Sequence, residues 1–218
     1  MIIVASTPSN YYIYPQIIHK LSLRMKITNI TATAHISDKP LDLNKLSRNL
    51  WNCIYNPAKF NALILKRNIT SLIFRTGKIV IVGSKSPEEA KRGARHTARI
   101  IQKITTTRIF CSKFTIQNIV ACDDLGFKPD LAKFVEFYSE YKPNRLFCVQ
   151  DHESFAPAIR CYKDIRKNNL LANVFYSGKI VYTGSREISE IEDYTYLLPK
   201  ILKKFKKQQI NCRHSSFA

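Results

Sequence analysis

The sequence contains one pattern twice, as Phe74-Arg-Thr-Gly-Lys-Ile-Val-Ile-Val-Gly-Ser84 and as Phe175-Tyr-Ser-Gly-Lys-Ile-Val-Tyr-Thr-Gly-Ser185. A shorter echo precedes each copy, Asn29-Ile-Thr-Ala32 and Asn118-Ile-Val-Ala121. The asparagines are 89 residues apart and the first glycines of the long pattern 101, so the second copy carries inserted residues. Two copies are too few for a solenoid, which needs at least three. They predict one pseudo-symmetric domain, whose surface would suit a nearly two-fold symmetric partner such as duplex DNA.

The net charge is the second strong feature of the chain. It carries 35 Lys and Arg against 16 Asp and Glu, a formal charge of +19 and a pI near 9.8. The excess is uneven, because residues 1–110 contribute +14 and residues 111–218 contribute +5. A domain this basic is typical of nucleic-acid binding. Adhesion to anionic membranes, or solubility conferred by charge alone, stays open as an alternative.

Catalytic and metal-binding patterns are missing from the sequence. Its six cysteines form neither a CxxC pair nor a Cys/His set at zinc spacing, which predicts a reducing compartment and no structural metal. The five histidines fit no triad or metal spacing, the six glycines form no phosphate-cradling loop, and no carboxylate pair stands out. We therefore predict a protein that is not an enzyme and needs no cofactor.

Each half is predicted to contain a strand, a helix, a run of strands and a long helix, which together form an α+β arrangement with an antiparallel sheet. The long helix of the first half should begin with a capping box at Ser86-Pro-Glu-Glu89. Pro199 should kink the last helix. The predicted strands are 26–34, 60–66, 71–76, 78–83 and 114–122, with further strands around 155–183, and the predicted helices are 41–51, 86–104, 129–141 and 187–206. We divide the chain into an N-terminal extension (1–24), a first repeat (25–110), a second repeat (111–207) and a tail (208–218).

Both faces of the predicted sheet are apolar. On one face of the first half lie Ile73, Ile79 and Ile81, and on the other lie Leu72, Phe74, Val80 and Val82. A sheet covered on both sides would show this pattern. Two helices per half suffice to cover one face only. The other face should therefore bury itself against a partner, since a large exposed apolar patch usually marks an interaction surface.

At this point the residues resemble a known family. The chain is similar to the TATA-box-binding proteins over about residues 25–207. The motifs that carry the resemblance are Asn29-Ile-Thr-Ala-Thr33, Tyr55-Asn-Pro-Ala-Lys-Phe60, Leu72-Ile-Phe-Arg-Thr-Gly-Lys78, Gly93-Ala-Arg-His-Thr-Ala-Arg-Ile-Ile-Gln-Lys103, Ile116-Gln-Asn-Ile-Val120 and Val174-Phe-Tyr-Ser-Gly-Lys179. The resemblance implies a saddle of about ten curved strands with four helices on its convex side, which binds the DNA minor groove and kinks the duplex by roughly 80°.

The resemblance also implies roles for individual residues. Phe60 and Phe74 match one pair of phenylalanines that wedge between base steps. Phe175 matches one member of the second pair, and its companion is either Phe155, our choice, or Phe147. Other positions of the DNA-facing surface match Asn29, Thr31, Leu72, Val80, Val82, Asn118, Val120, Asn173, Val181 and Thr183. Positions that reach phosphates match Lys59, Lys66, Lys78 and Lys179.

Three of these positions depart from the family pattern. Thr31 stands where the family usually has valine, Val82 replaces a threonine and Asn173 replaces a leucine.

The long helix of the first repeat carries a basic face, formed by Arg92, Arg95, Arg99 and Lys103. We expect this face to bind a protein partner or flanking DNA.

The leading hypothesis is therefore a general transcription initiation factor of a eukaryotic-type or viral system. It would bend A/T-rich, TATA-like promoter DNA and nucleate a preinitiation complex with transcription factors IIA and IIB-like proteins and the RNA polymerase machinery. Its location would be the nucleus, or the viral transcription compartment. The alternative is a diverged paralogue that acts mainly as a protein-interaction hub with weak TATA specificity.

Overall fold

The computed structural model describes residues 25–138, 146–151, 158–162 and 170–207. The predicted N-terminal extension and the predicted tail lie outside these residues. The strands are β1 (Lys26–His35), β2 (Cys53–Asn56), β3 (Phe60–Lys66), β4 (Thr70–Phe74), β5 (Lys78–Ser84), β6 (Ser112–Asp124), β7 (Phe147–Asp151), β8 (Ala158–Tyr162), β9 (Leu171–Phe175) and β10 (Lys179–Ser185). The helices within the described ranges are α1 (Leu43–Asn49), α2 (Pro87–Gln102), α3 (Leu131–Tyr138) and α4 (Ile188–Lys203).

All ten strands belong to one curved antiparallel sheet, in the order β2-β3-β4-β5-β1-β6-β10-β9-β8-β7. The two repeats meet where β1 pairs with β6, and Ile30 lies opposite Ile119 at that junction. These two isoleucines are 89 residues apart, the same offset as Asn29 and Asn118. The Ile30–Ile119 pair therefore lies on the pseudo-two-fold axis. The predicted α+β fold class and saddle are confirmed.

The sheet buries one face and leaves the other open. One face contains the fully buried residues Ile73, Ile79 and Ile81. The helix α2 packs on this face, where its Gly93 lies close to the Ile81 side chain. The alternate residues Leu72 and Val80 are only half-buried. We call the face that carries Leu72 and Val80 the open face. The prediction that helices cover only one of two apolar faces is confirmed for the described residues.

The helix α2 begins as the sequence predicts. The Ser86 hydroxyl accepts a hydrogen bond from the Glu89 backbone N–H at 3.1 Å, and Pro87 occupies the first turn. The Glu89 carboxylate reaches back to the backbone N–H of Lys85, one residue before the cap, at 2.6 Å. This reciprocal pair satisfies two donors that would otherwise lack partners at the helix N-terminus.

Several boundaries differ from the predictions. The strands β2 and β7 were not predicted, because each is an edge strand of four or five residues without a clear alternation. The helix predicted at 41–51 spans only Leu43–Asn49, since the Asp42 side chain caps it by accepting from the Lys45 backbone N–H. Pro199 lies inside α4, and the kink expected there stays a prediction.

The core of the second repeat contains two buried tyrosines and two buried cysteines. Tyr182 and Tyr194 are fully buried with their rings edge to face at 5.8 Å, and their hydroxyls have no hydrogen-bond partner among the described residues. Burial raises the pKa of both phenols well above the ordinary value. Nearby, the buried thiols of Cys148 and Cys161 lie 3.2 Å apart across β7 and β8. Burial, followed by the hydrogen bond from Cys148, raises the pKa of Cys161, which is typical of an unreactive core thiol.

The two copies of the opening pattern form equivalent turns. Gly77 and Gly178 both have positive φ, +81° and +93°, and each backbone N–H donates to the phenylalanine three residues earlier, at 3.0 and 2.9 Å. A Cβ on Gly77 would overlap the backbone carbonyl of Ser37, and one on Gly178 would overlap that of Phe127. Glycine is thus required twice over, by its φ and by the closeness of a neighbouring loop.

We predict that Gly77→Ala destabilises the fold more than Gly126→Ala. Both glycines have positive φ, but a Cβ on Gly126 would meet no atom within 4 Å. The backbone conformation alone should cost about 1–2 kcal/mol at each position, and only Gly77 adds the overlap with Ser37. Urea unfolding of the two variants measures the difference, and equal losses of unfolding free energy would contradict the steric argument.

Candidate nucleic-acid interface

Two asparagines occupy equivalent places at the centre of the open face. The Asn29 side-chain oxygen accepts from the backbone N–H of Gly83 at 2.8 Å, and that of Asn118 accepts from Gly184 at 2.8 Å. A backbone N–H can only donate, so each hydrogen bond fixes which end of the amide is the oxygen. Both NH₂ groups are thereby left as the outward donors of the open face.

The next polar group distinguishes the two repeats. The Asn118 amide nitrogen donates to the Thr183 hydroxyl at 3.2 Å, and that hydroxyl also lies 3.4 Å from the Asn118 amide oxygen, to which it can donate. In the first repeat Val82 holds the equivalent position, and the Asn29 amide nitrogen has no acceptor among the described residues. In the second repeat the amide is therefore held through its nitrogen and its oxygen, whereas in the first it is held only through its oxygen.

The residues beside the asparagines also correspond across the pseudo-two-fold axis. Asn29 pairs with Val120 and Asn118 pairs with Thr31, so Thr31 and Val120 are equivalent neighbours. All four side chains are half-exposed. The structure thus brings these four predicted residues together around the axis, as the duplicated motif predicts.

Phenylalanines lie toward the ends of the open face. Phe60 is 44% exposed, and its ring meets that of Phe74 edge to face, with centroids 6.2 Å apart. Phe175 is half-exposed at the end of β9, in the same place relative to its turn as Phe74. Phe155 lies outside the described residues, and for Phe147 only the backbone, at the start of β7, is described. The choice between them as a fourth wedge stays a prediction.

Two equivalent rows of side chains cross the open face between its centre and the phenylalanines. Strand register defines the first row as Ile54, Ile64, Leu72 and Val80. It defines the second row as Val149, Arg160, Asn173 and Val181. The outer members match in type, but the two middle residues change from isoleucine and leucine to arginine and asparagine. Leu72, Val80, Asn173 and Val181 were predicted to face a partner here, and the other four were missed.

The four predicted phosphate-contacting lysines are exposed around this surface. Lys66, Lys78 and Lys179 each lie two residues from a member of the rows and so point to the same face, while Lys59 precedes Phe60 in the turn before β3. None of the four forms an ion pair with a residue that the structure describes. Their charges are therefore not neutralised by described side chains.

Comparison with known proteins gives this surface its context. A family model described as "Transcription factor TFIID (or TATA-binding protein, TBP)" matches residues 24–104 and 113–205. The chain belongs to the TATA-binding protein family. It is 37% identical over 190 residues to a TATA box-binding protein-like 2 of Mus musculus, covering 84% of this chain and 50% of that protein. It is 36% identical over 187 residues to a TATA-box-binding protein of Candida albicans, covering 83% and 73%.

A solved TATA-binding protein has the same fold. The TBP of Methanococcus jannaschii matches with a TM-score of 0.64 and 26% identity, covering 83% of this chain and 99% of that one. The chain spans about half the length of the TATA box-binding protein-like 2 relatives that it matches. The resemblance that the sequence motifs indicated is confirmed.

On the opposite side of this TATA-binding-protein fold, α2 forms a cationic surface. Its buried residues include Ala90, Ala94 and Ala98, and the charged side chains between them are exposed. A cleft of about 840 Å³ runs between α2 and the turn after β3. The arginines that line it are Arg67, Arg92, Arg95 and Arg99. The cleft thus concentrates positive charge away from the open face.

We predict that Val82→Thr sharpens base discrimination at the centre of a bound DNA site. The hydroxyl would supply the acceptor that Asn29 lacks and orient its NH₂ as Thr183 orients that of Asn118. A hydrogen bond of this kind is worth about 0.5–1.5 kcal/mol net. Binding should therefore become more selective at the steps under the first repeat, and the salt dependence should not change.

Affinities for a series of single base-pair substitutions measure this effect. Val82→Ile, which adds no hydroxyl, is the matched control. Equal selectivity in both half-sites of the natural protein would contradict the asymmetry, and Val82 would then be a packing detail only.

Proposed function

We propose that the chain is a sequence-selective minor-groove DNA-binding factor of transcription initiation, which bends A/T-rich, TATA-like promoter DNA. The observation that carries the proposal is the open face. It spans both repeats, it holds one apolar and one mixed row of side chains with aromatic residues toward its ends, and its centre displays amide donors fixed by Gly83 and Gly184. Family membership supports the same reading.

The chemistry of the centre suits A·T base pairs. In the minor groove, A·T and T·A pairs present acceptors only, whereas guanine adds an amino donor. The outward groups of Asn29 and Asn118 are donors. They would therefore bind A·T pairs in either direction and leave a donor facing a donor at G·C pairs.

The aromatic residues supply a means of bending. Phe60 and Phe74 form an edge-to-face pair at one end of the open face, and Phe175 lies at the other. Apolar side chains inserted between base steps unstack them and kink the duplex, at a cost of a few kcal/mol per step that is offset by the added contact surface. Flexible TA steps lower that cost, which favours TATA-like sequences.

The convex side would serve protein partners. The arginines of α2 and its cleft suit an acidic surface, and they point away from the proposed DNA face. We propose transcription factors IIA and IIB-like proteins and the polymerase machinery as partners in a preinitiation complex. The protein would act without catalysis, in the nucleus or in a viral transcription compartment.

A second candidate is a diverged paralogue that serves mainly as a hub for proteins and recognises TATA weakly. The observation in its favour is the altered open face, where Val82 lacks a hydroxyl and Asn173 interrupts an apolar row. Comparison of affinity for a TATA duplex and a G·C-rich duplex separates the two candidates, because a hub would bind both alike.

We predict that Phe60→Ala/Phe74→Ala abolishes the bending contributed by the first repeat. Both rings are partly exposed on the open face, so their loss removes the proposed wedge while leaving the buried core in place. Energy transfer between dyes at the two ends of a short TATA duplex measures the bend.

The matched control is Phe137→Ala, which removes a 58% exposed phenylalanine from α3, away from the open face. Circular dichroism checks the fold of both variants. If the double variant bends the duplex as well as the natural protein does, the wedge role of these residues is wrong.

We predict that Arg92→Glu/Arg95→Glu/Arg99→Glu leaves binding to a short TATA duplex nearly unchanged but weakens assembly with an acidic transcription factor. The three side chains lie on α2, on the side of the sheet opposite the open face. Electrophoretic mobility shifts with the duplex alone, and then with the added factor, separate the two effects.

Arg92→Gln/Arg95→Gln/Arg99→Gln removes the charge without reversing it and should give an intermediate loss of assembly. A collapse of affinity for the short duplex in either variant would mean that α2 lies on DNA, which contradicts the proposed orientation.

A further inference from the structure

The two rows of the open face differ chemically at their middle positions. Ile64 and Leu72 form a cross-strand pair in the first row. Arg160 and Asn173 form the equivalent pair in the second row. The equivalence rests on register, because Ala62 lies opposite Phe74 as Ala158 lies opposite Phe175.

The burial of neighbouring residues fixes the direction of the second pair. Arg160 is exposed between Ile159 and Cys161, which are 2% and 0% exposed. Asn173 is half-exposed between Ala172 and Val174, both fully buried. Successive side chains of a strand point to opposite faces. Arg160 and Asn173 therefore both lie on the open face.

The neighbours of Arg160 and Asn173 belong to the surface proposed to bind DNA. Asn173 pairs on its other side with Val181, and it precedes Phe175 by two residues on the same face. Its side-chain amide makes no hydrogen bond with any described residue. The guanidinium of Arg160 supplies donors only, and the amide of Asn173 supplies two more. The first row offers no donor at the equivalent places.

We propose that Arg160 and Asn173 determine specificity by donating hydrogen bonds to the minor-groove floor under the second repeat, so that this half discriminates against G·C more strongly than the first. The protein would then bind an asymmetric site in one orientation, with the second repeat on the more A/T-rich half. This inference rests on the proposed minor-groove binding.

The physical basis is the donor and acceptor pattern of the groove. The donors of both residues match the acceptors of A·T pairs, and Arg160, which has no acceptor, opposes the amino group of guanine. A narrow A/T-rich minor groove also has an enhanced negative potential, which attracts arginine. Ile64 and Leu72 lose no hydrogen bond when guanine replaces adenine, so the first repeat should tolerate the change better.

The test compares three versions of a symmetric A/T-rich duplex, in which the outer steps of neither, one or both half-sites are changed to G·C pairs. With one half changed, the protein can place its first repeat there, and Kd should change little. With both halves changed, Kd should rise about 5- to 150-fold, the range for a mismatched base pair. Inosine·cytosine pairs in both halves should restore the affinity, because inosine lacks the amino group that guanine adds to the minor groove.

The decisive variant is Arg160→Ile/Asn173→Leu, which gives the second row the middle residues of the first. It should reduce the penalty of the doubly changed duplex. The control Arg48→Ile removes one exposed arginine from α1 and should leave the penalty unchanged. Ile64→Arg/Leu72→Asn is the reciprocal variant, in which both repeats carry the donors. The duplex with one changed half-site should therefore bind this variant more weakly than it binds the natural protein. Thermal unfolding checks that each variant folds.

Two results would overturn the inference. The double variant could retain the full penalty, which would mean that other residues discriminate. Alternatively, it could bind all three duplexes more weakly by one factor, with a salt slope smaller by about one, which is the sign of a phosphate contact. If the proposed function itself were wrong, the natural protein would bind the unchanged duplex and the duplex with both half-sites changed with equal affinity.

Discussion

The pairing of β1 with β6 is the interaction on which the rest of the structure depends. It joins two repeats that each cover only one side of their strands, and it does so with Ile30 and Ile119 opposite each other on the pseudo-two-fold axis. Because the strands continue across this junction, the two open faces become one surface. The helices cover the other side in both repeats, so this surface remains for a partner.

The open face is nearly symmetric, and the few residues that depart from the symmetry suggest how it would recognise DNA. The fixed amides of Asn29 and Asn118 are equivalent, which suits a duplex whose minor groove looks alike in both directions. Three departures from symmetry make the second repeat more polar, whereas Thr31, the counterpart of Val120, makes the first repeat more polar. Thr183 stands at the position equivalent to Val82. Arg160 and Asn173 stand where the first repeat has Ile64 and Leu72. The uneven net charge, +14 in residues 1–110 and +5 in residues 111–218, runs the other way. Phosphate attraction and base reading would therefore be divided between the repeats.

Much of this could be predicted from sequence, because the decisive signals are local and occur twice. Alternation in β4 and β5 separates Ile73 from Leu72, and the repeated glycine turns fix where the strands end. The edge strands could not be predicted in this way. Arg160 was missed because the inserted residues of the second copy hide its register, and only pairing with Asn173 reveals its face. The hydroxyls of Tyr182 and Tyr194, which have no hydrogen-bond partner in the described part of the chain, depend on tertiary packing, which the sequence periodicity does not show.

We propose that DNA covers the open face and leaves the helix-covered face free. Two native cysteines report on this directly, because Cys122 pairs with Val181 on the open face, whereas Cys53 pairs with the buried Leu65 on the other. Both thiols are partly exposed. Mass spectrometry can follow alkylation of each thiol with and without a TATA duplex. We expect DNA to slow the alkylation of Cys122 and to leave the rate at Cys53 unchanged. Protection of Cys53 with no change at Cys122 would contradict it.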